Sequence, residues 1–477
     1  MILVLCLRLG FSFSQEKLSD YLTGEFHQER RNELRKALPD NSVAVFFANP
    51  VRNRSNDVDY IYHQDPDFYY LTGYTEPHSI LLIFKSDQVD SRGDSYDEII
   101  FVQKRDQRRE MWDGLRLGPE GVKEKLALNN AFNNSEFADY NIDFTSFDKV
   151  LFFDFKGDVR DTRNSADLFD LIAQFKAKVN YSGENNTSLE IEPKRQNLDI
   201  TSLAKIMDGL RGVKTAEELE LIRKAVSIST IGHAEVMKAM RPDMSETEIQ
   251  GIHEFVFKKY GAEYEGYPSI VGAGNNGCIL HYIDNHKPSV TSDEMVLMDL
   301  GAEYHGYTAD VTRTIPVNGK FSREQKAIYD LVYKAQQSAM DAVKPGTTWQ
   351  ELGLLARTII NEGLAELGII ESPDTRHLYF PHGLGHHIGL DVHDRGDYGP
   401  LRENMVITIE PGIYIPKNSD CDPKWWGIAV RIEDDILVTS EGYELLSYQA
   451  PRKSDEIEKL MKQSSVLENF NLPSLDN

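Results

Sequence analysis

The chain has 477 residues, of which 40% are hydrophobic and 27% are charged, and this composition is typical of a soluble globular protein. A chain of this length predicts about two or three domains, because a single hydrophobic core seldom grows so large. The 52 basic and 76 acidic residues give a formal net charge of −24, which argues against nucleic-acid binding because that function favours a basic face. The three cysteines form no CxxC pair, so neither a disulfide framework nor a thiolate zinc site is indicated.

The first residues, MILVLCLRLGFSFSQ, form an apolar run that ends in small residues before Gln15. This pattern is typical of a secretory signal and its cleavage site, and it predicts a signal segment at residues 1–14. The run lacks a basic start and is interrupted by Arg8, so a cytoplasmic protein with a miscalled start codon is the alternative. We expect export, to the periplasm or the outside, and predict no membrane-spanning segment elsewhere.

An N-terminal α/β domain is predicted for residues 15–200, because strand-like and helix-like segments alternate there. A polar helical stretch at 20–38 ends at Pro39. The predicted strands are 42–48, 79–84, 98–103 and 149–155, and the predicted helices between them include 118–127 and 166–178.

A second domain is predicted for residues 210–452, in which helices alternate with antiparallel strand pairs. Thr215 with Glu218, and Ser245 with Glu248, have the spacing of a helix capping box, and apolar residues follow each box at helical intervals. Residues 453–477 are predicted to form one short helix and a polar tail. Two further helices are predicted at 324–343 and 350–367, and strand pairs at 295–317, 405–416 and 428–438.

The stretch MVLMDLGAEYHGYTADVTR, residues 295–313, carries two carboxylates at the ends of two predicted strands. Asp299 ends the first strand and Asp310 precedes the second. Gly301 and Gly306 allow the chain to fold back between them. Two carboxylates buried side by side repel each other, so they share either a proton or a cation. We interpret the pair as cation ligands, because the rest of the domain supplies further ligands.

Three more candidate ligands lie in later glycine-rich or strand-like segments. PHGLGHHIGLDVHD carries His386, TIEPGIYI carries Glu410, and AVRIEDDILV carries Glu433. Isolated acidic residues between apolar neighbours do not resemble a charged surface, and four of them with a glycine-flanked histidine predict a metal site. Four carboxylates and one imidazole suit two divalent ions such as Mn²⁺, Fe²⁺, Co²⁺ or Zn²⁺. Two ions roughly 3.5–4 Å apart would lower the pKa of a shared water, which predicts metal-assisted hydrolysis.

The five predicted ligands, in this order and local context, resemble the ligand set of the pita-bread metallopeptidases, a family that includes methionine aminopeptidase, prolidase and aminopeptidase P. This resemblance covers residues 215–450. Residues 54–84, RSNDVDYIYHQDPDFYYLTGYTEPHSILLIF, and residues 104–121, KRDQRREMWDGLRLGPEG, are similar to the N-terminal domain of the aminopeptidase P group. The fold implied is an α/β N-terminal domain followed by an α+β pita-bread (creatinase/aminopeptidase) catalytic domain.

The resemblance implies a role for each ligand. Asp299 would chelate one ion, Asp310 and Glu433 would bridge both ions, and His386 and Glu410 would complete the other. A hydroxide that bridges the two ions would be the nucleophile, and Glu410 would move its proton. Mn²⁺ fits the carboxylate-rich set and the habit of the family, with Zn²⁺ and Co²⁺ left open.

The resemblance also implies residues around the substrate. His281, in NGCILHY, matches a histidine near the substrate. His382 would lie beside the scissile peptide, and His393 would contact the carbonyl after proline. Arg431 is expected to orient a carboxylate. Trp112 matches a tryptophan at the substrate mouth, which a neighbouring subunit would contribute.

The activity implied is release of the N-terminal residue from peptides with proline in the second position, by a homo-oligomer (dimer or tetramer). Residue spacing alone predicts only metal-assisted peptide hydrolysis. Prolidase, which cleaves Xaa-Pro dipeptides, is the nearest alternative, followed by an inactive binding module and a metal-free hydrolase of the creatinase type. The linker GPLREN, residues 399–404, lacks the gating arginine of some relatives, and Arg395 or Arg402 is the candidate replacement. His286, His305 and His387 are predicted to be non-ligands.

Overall fold

The computed structural model describes residues 20–90, 92–181 and 197–467. The predicted signal segment and residues 468–477 of the predicted tail lie outside the described residues. Within the described part, an N-terminal domain surrounds one mixed sheet, and a C-terminal domain encloses small antiparallel sheets with long helices. None of the described helices is both long enough and apolar enough to cross a membrane.

The N-terminal domain is built on a mixed six-stranded sheet. Its elements are α1 (Gly24–Ala37), β1 (Ser42–Phe47), β2 (Asn53–Ser55), β3 (Val58–Asp59), α2 (Pro66–Thr72), β4 (Ile80–Val89), β5 (Ser95–Val102), α3 (Gln107–Asp113), α4 (Gly118–Lys125), β6 (Ala131–Asn133), β7 (Lys149–Phe152), α5 (Leu168–Val179), β8 (Leu198–Asp199) and α6 (Ser202–Arg211). The strand order is β6-β5-β4-β1-β7-β8, and only β4 runs antiparallel to its neighbours.

The predicted N-terminal strands and helices are present, with ends that differ by a few residues. β4 continues to Val89, beyond the predicted end at residue 84, because it forms a long exposed hairpin with β5. β1 is central in the sheet, and its alternating residues enter two separate hydrophobic cores. Val43 and Val45 face a phenylalanine-rich core under α5, while Ala44 and Phe46 face the core shared with the rest of the molecule.

The C-terminal domain alternates helices and strand pairs, as predicted. Its elements are α7 (Ala216–Ala239), α8 (Glu246–Lys259), β9 (Tyr264–Glu265), β10 (Ile270–Ala273), β11 (Met295–Asp299), β12 (Ala302–Tyr304), β13 (Tyr307–Thr308), β14 (Thr312–Pro316), α9 (Arg323–Asp341), α10 (Trp349–Glu366), β15 (Val406–Ile409), β16 (Gly412–Ile415), β17 (Ile428–Arg431), β18 (Asp434–Val438), β19 (Tyr443–Leu445) and α11 (Ser454–Leu460).

One of the two predicted capping boxes is complete and the other is half formed. Thr215 Oγ1 accepts from the Glu218 amide, and the Glu218 carboxylate accepts from the Thr215 amide. Ser245 caps α8 by accepting from the Glu248 amide. The Glu248 carboxylate, however, accepts from Arg241 at 2.8 Å, so the reciprocal bond of the second box is not formed.

The partners of the predicted strands are correct in one region and wrong in two. β11 pairs with β14, as the 295–317 prediction requires. Segments 405–416 and 428–438 do not fold back on themselves, because β15 pairs with β18 and β16 pairs with β17. Only Glu410 and Pro411 separate β15 from β16, and neither is a residue that a two-residue hairpin turn favours. The two breaks, at 410–411 and 432–433, therefore lie side by side between these paired strands.

The turn between β12 and β13 carries the reversal predicted from the glycines. His305 (φ 51) and Gly306 (φ 84) form a two-residue turn with left-handed backbone, and Tyr304 pairs with Tyr307 across it. Gly301 serves a different purpose, because an added Cβ there would lie 1.7 Å from the carbonyl oxygen of Ala309. The missing side chain lets the strand that ends at Asp299 pass close to the residue before Asp310.

We predict that Gly301→Ala lowers the free energy of unfolding by about 2–4 kcal/mol, because the new methyl group collides with backbone and not with a movable side chain. Urea unfolding measures the change. Gly251→Ala in α8 is the matched control, since an added Cβ there meets no atom within 4 Å and alanine is the better helix residue. Equal stability of the two variants would show that the contact at Gly301 relaxes without cost.

Candidate metal centre

Four carboxylates converge where four strands of the C-terminal domain begin or end. Asp299 is the last residue of β11, and Asp310 lies two positions before β14. Glu410 occupies the break between β15 and β16, and Glu433 the break between β17 and β18. All four line one cavity of about 710 Å³, together with His386. The structure therefore brings the five predicted ligands into a single site.

Backbone hydrogen bonds hold the two halves of the site together. An isolated bridge joins Thr312 to Glu433, so the strand after Asp310 is fixed to the second carboxylate pair. The amide of Thr408 donates to the carbonyl of His386 at 2.9 Å, which ties the histidine loop to β15. The carboxylates thus sit at strand ends and strand breaks, and the loop that carries the imidazole is tied to a strand by a backbone hydrogen bond.

His386 lies within reach of three of the four carboxylates. Donor atoms of Asp310, His386 and Glu433 all lie within 4.8 Å of one another, as a shared ion would require. His386 Nε2 lies 3.4 Å from Asp310 Oδ2 and 3.6 Å from Glu410 Oε1. The other ring nitrogen, Nδ1, is 2.9 Å from the carbonyl oxygen of His387, to which it must donate. This bond places one proton on Nδ1 and leaves Nε2 as the atom that would bind a metal.

Burial makes these carboxylates costly to ionise in the absence of a cation. Burial, reinforced by Asp310 and the other carboxylates, raises the pKa of Glu433 well above its ordinary value. Burial also raises the pKa of Glu410 to about 7, and burial and Asp299 raise the pKa of Asp310. Bound divalent ions would relieve this repulsion between the carboxylates.

Arg431 places a positive charge among the carboxylates of the cavity. Its Nη2 donates to Asp299 Oδ2 at 2.5 Å, and its Nε donates to Thr312 Oγ1 at 3.1 Å. The Thr312 hydroxyl in turn donates to Glu433 Oε2 at 2.6 Å. One guanidinium therefore orients two of the carboxylates, directly and through a hydroxyl. It cannot neutralise four, and the remaining negative charge suits two dications.

Tyr267 is a site residue that sequence reasoning missed. Its hydroxyl oxygen lies 2.6 Å from both Asp299 Oδ1 and Asp310 Oδ1. A single hydroxyl proton can serve only one of these oxygens at a time, so the tyrosine holds the two carboxylates side by side without neutralising them. No feature of the surrounding segment, which precedes β10, distinguishes this tyrosine from the others in the sequence.

A second network holds His382 at the edge of the cavity. His382 Nδ1 donates to the Gly383 carbonyl at 2.8 Å, so Nε2 accepts from the Tyr414 hydroxyl at 2.8 Å. Arg431 Nη1 donates to the same tyrosine oxygen at 2.9 Å. Burial, together with the Arg431 charge, lowers the pKa of His382 to about 4, so the imidazole is neutral at ordinary pH. Tyr414 was also missed, although it lies four residues after Glu410.

The remaining predicted substrate residues lie around the mouth of the cavity. The ring of His393 lies against that of His386, with 4.2 Å between the centroids, and His281 lines the cavity together with Leu280 and Ile283. Trp112 does not line this cavity and is 85% exposed on α3. A larger cavity of about 1210 Å³ lies in the N-terminal domain, but none of the predicted ligands lines it.

Arg395 and Arg402, the candidate gating residues, do not line the cavity. Arg395 donates to Asp67 of the N-terminal domain at 2.8 Å. Arg402 donates to Asp397 at 2.5 Å. Each guanidinium is held by a nearby carboxylate, so neither takes the place of the missing gate within one chain. His387 is likewise bound elsewhere, with Nε2 at 2.9 Å from the carbonyl of Asp397.

Comparison with known proteins agrees with this geometry. Residues 220–440 match the profile of Metallopeptidase family M24, and residues 27–150 match the profile of the Aminopeptidase P, N-terminal domain. The Xaa-Pro aminopeptidase of Haemophilus influenzae is 36% identical over 455 residues, which are 92% of this chain and 98% of that protein. This chain belongs to metallopeptidase family M24. The M24 catalytic region includes all five predicted ligands and both strand breaks.

Solved structures of related M24 proteins cover both domains. Aminopeptidase P from Escherichia coli, solved with the inhibitor Pro-Leu, superimposes with a TM-score of 0.80 at 33% identity, over 92% of this chain and 98% of that chain. An aminopeptidase P from Yersinia pestis superimposes with a TM-score of 0.78 at 34% identity, over 92% and 99%. The predicted fold class, an α/β N-terminal domain with an α+β pita-bread catalytic domain, is confirmed.

We predict that Glu410→Gln stabilises the metal-free protein by roughly 3 kcal/mol at pH 8 and has almost no effect at pH 4. The pKa of Glu410 is about 7 in the fold against an ordinary 4.5, so the unfolded chain loses this proton first. Wild-type stability therefore falls as pH rises from about 4.5 to 7, while glutamine carries no charge to bury. Chemical unfolding of chelated protein at both pH values measures the difference.

The control for this prediction is Glu441→Gln, which changes an exposed glutamate and should leave stability the same at both pH values. A Glu410→Gln protein that is no more stable than wild type at pH 8 would contradict the burial argument.

Proposed function

We propose that this M24 protein is a dinuclear-metal aminopeptidase that releases the N-terminal residue from peptides with proline in the second position. The observation that carries the proposal is the convergence of four carboxylates, three buried and one partly buried, with one imidazole in a single cavity. Relatives named Xaa-Pro aminopeptidase match across both domains, including the N-terminal domain. No observation favours prolidase activity over this one.

The metal ions would be held by Asp299, Asp310, His386, Glu410 and Glu433. The donor set of carboxylate oxygens with one imidazole nitrogen fits hard or borderline dications, among which we propose Mn²⁺, with Zn²⁺ and Co²⁺ as the alternatives. When bound, two such ions supply an activated water and polarise the substrate carbonyl.

Glu410 is placed to move a proton during peptide hydrolysis. Its Oε1 lies 3.6 Å from His386 Nε2, and its Oε2 lies 3.6 Å from His382 Nδ1. A proline nitrogen leaves as an amine only if it gains a proton, because the amide anion is a poor leaving group. We assign Glu410 the role of taking a proton from the attacking water and delivering it to that nitrogen.

The histidines would hold the substrate carbonyls. His382 is neutral, and the Arg431–Tyr414 pair fixes its orientation. His393 and His281 lie at the mouth of the same cavity. We propose that His393 and His281 contact the substrate where negative charge develops on oxygen, a task that requires donors fixed in advance. The single N–H of His382 is already bound to the Gly383 carbonyl, so this ring would lie beside the scissile peptide without donating to it.

The walls of the cavity suit a proline ring. Ile270, Leu280, Ile283 and Val392 supply apolar surface close to the carboxylates. An Xaa-Pro bond has no N–H to donate, so a site that grips carbonyl groups loses nothing by accepting proline. The free N-terminal ammonium of the peptide would be attracted by the excess of carboxylates.

We also propose a homo-oligomer. Met111, Trp112 and Leu115, near the end of α3, are 86%, 85% and 84% exposed, an arrangement that a second copy of the chain would bury. Sedimentation of the intact protein tests this proposal, and a Trp112→Ala variant should weaken the association.

We predict that metal-stripped protein reloaded with Mn²⁺ cleaves Xaa-Pro-Yaa tripeptides and longer peptides, releasing Xaa. A panel of Xaa-Pro and Xaa-Pro-Yaa peptides, followed by chromatography of the products, measures this preference for each ion. Turnover of dipeptides only would mean a prolidase. Full turnover by protein that stays metal-free would defeat the metal mechanism.

The matched control for the panel is a pair of histidine variants. His386→Ala should abolish turnover and lower the bound metal, with little change in circular dichroism, because the ring contributes a ligand and not core packing. His286→Ala removes an exposed histidine that lines no part of the cavity and should keep wild-type turnover. Equal activity of the two variants would remove His386 from the ligand set.

A further inference from the structure

A buried group of charged residues links the N-terminal domain to the loop that carries His393. The group, here named the interdomain ion cluster, joins α2 and the end of α6 to the loop around His393. Its members are Asp67, Arg211, Lys214, Asp391, Asp394 and Arg395.

Arg211 is the centre of the cluster. Its Nη1 donates to Asp67 Oδ1 at 2.7 Å, and its Nη2 donates to Asp391 Oδ2 at 3.1 Å and also to Asp394 Oδ1. Lys214 Nζ donates to the other Asp394 oxygen at 2.7 Å. The side chains of Arg211, Lys214 and Asp394 are 2%, 1% and 1% exposed, so these contacts are shielded from water and salt.

The cluster fixes the backbone on which His393 stands. Asp394 directly follows His393, and its amide donates to the carbonyl of His387 at 2.9 Å. The loop between them also packs on the ion pair, because a Cβ at Gly389 would lie 2.2 Å from Asp394 Oδ2. Both ends of the His393 loop are thus held, one by the metal ligand region and the other by charges that belong partly to the N-terminal domain.

Burying this many charges contributes little to the free energy of unfolding. A buried ion pair roughly breaks even against well-packed apolar side chains, because desolvation offsets the attraction. Charged hydrogen bonds do, however, fix direction and distance far more strictly than apolar contacts. The arrangement is therefore better suited to placing a side chain than to holding two domains together.

We propose that Arg211 and Asp394 are positioning residues that hold the His393 ring in place beside His386, and that Asp67 extends this control to the N-terminal domain. The inference rests on the proposed function, in which His393 contacts the substrate. It makes the N-terminal domain part of the catalytic apparatus of its own chain. A displacement of about 1 Å at such a contact costs on the order of 100-fold in rate.

The test is a double-mutant cycle on the full-length Mn²⁺ protein, with Asp394→Asn and His393→Ala alone and together, assayed on one Xaa-Pro-Yaa peptide. Asp394→Asn should lower kcat/KM about 10- to 100-fold, with metal content unchanged. In the His393→Ala background the same change should have almost no further effect, because the residue acts through a ring that is no longer there.

Asp67→Asn supplies a second cycle from the N-terminal side, which keeps the test decisive if Asp394→Asn fails to fold. Glu98→Gln is the matched control: Glu98 pairs with the buried Arg31 at 2.8 Å within the N-terminal domain, away from the His393 loop. This variant should lose stability and keep wild-type kcat/KM.

The outcomes separate the two proposals. Equal losses in the wild-type and His393→Ala backgrounds, or no loss from either Asp variant, would overturn the positioning role while leaving the proposed function intact. Absence of turnover by the wild-type protein itself would overturn the proposed function and this inference with it.

Discussion

Repulsion among buried carboxylates is the constraint around which the C-terminal domain is built. Four acidic side chains share one cavity, and burial raises the pKa of three of them, Asp310, Glu410 and Glu433. A flexible support would let them separate into water. Here they project from strand ends and strand breaks, where paired backbones on both sides prevent that escape. The fold thus maintains a concentration of carboxylates whose repulsion either protons or bound divalent ions relieve.

Two arginines show how this support is divided. Arg431 faces the cavity and orients Asp299, and through Tyr414 it also orients His382. Arg313 does not line the cavity. It is fully buried and donates to the backbone carbonyl of Glu433 at 2.7 Å. Neither arginine is expected to add much to the free energy of unfolding, because removing its charge from water is costly. Together they fix the directions of the carboxylates, which a metal site requires to within fractions of an ångström.

The N-terminal domain has a place in the same arrangement. Its sheet does not touch the ligands, but Asp67 reaches the histidine loop through Arg211. These buried ion pairs join the N-terminal domain to the loop that carries His393. The same domain also exposes apolar side chains near the end of α3, on which the proposed homo-oligomer rests.

Local patterns in the sequence determined the helices, the strand segments and the five ligand candidates. A capping box such as Thr215 with Glu218 is visible because both partners lie within one helical turn. Isolated acidic residues such as Glu410 stand out because their immediate neighbours are apolar. What only the tertiary structure decided were the partners of β15 to β18, the roles of Tyr267 and Tyr414, and the cluster around Arg211. Each of these depends on a contact between residues distant in the chain, and periodicity and spacing carry no information about which distant residues will meet.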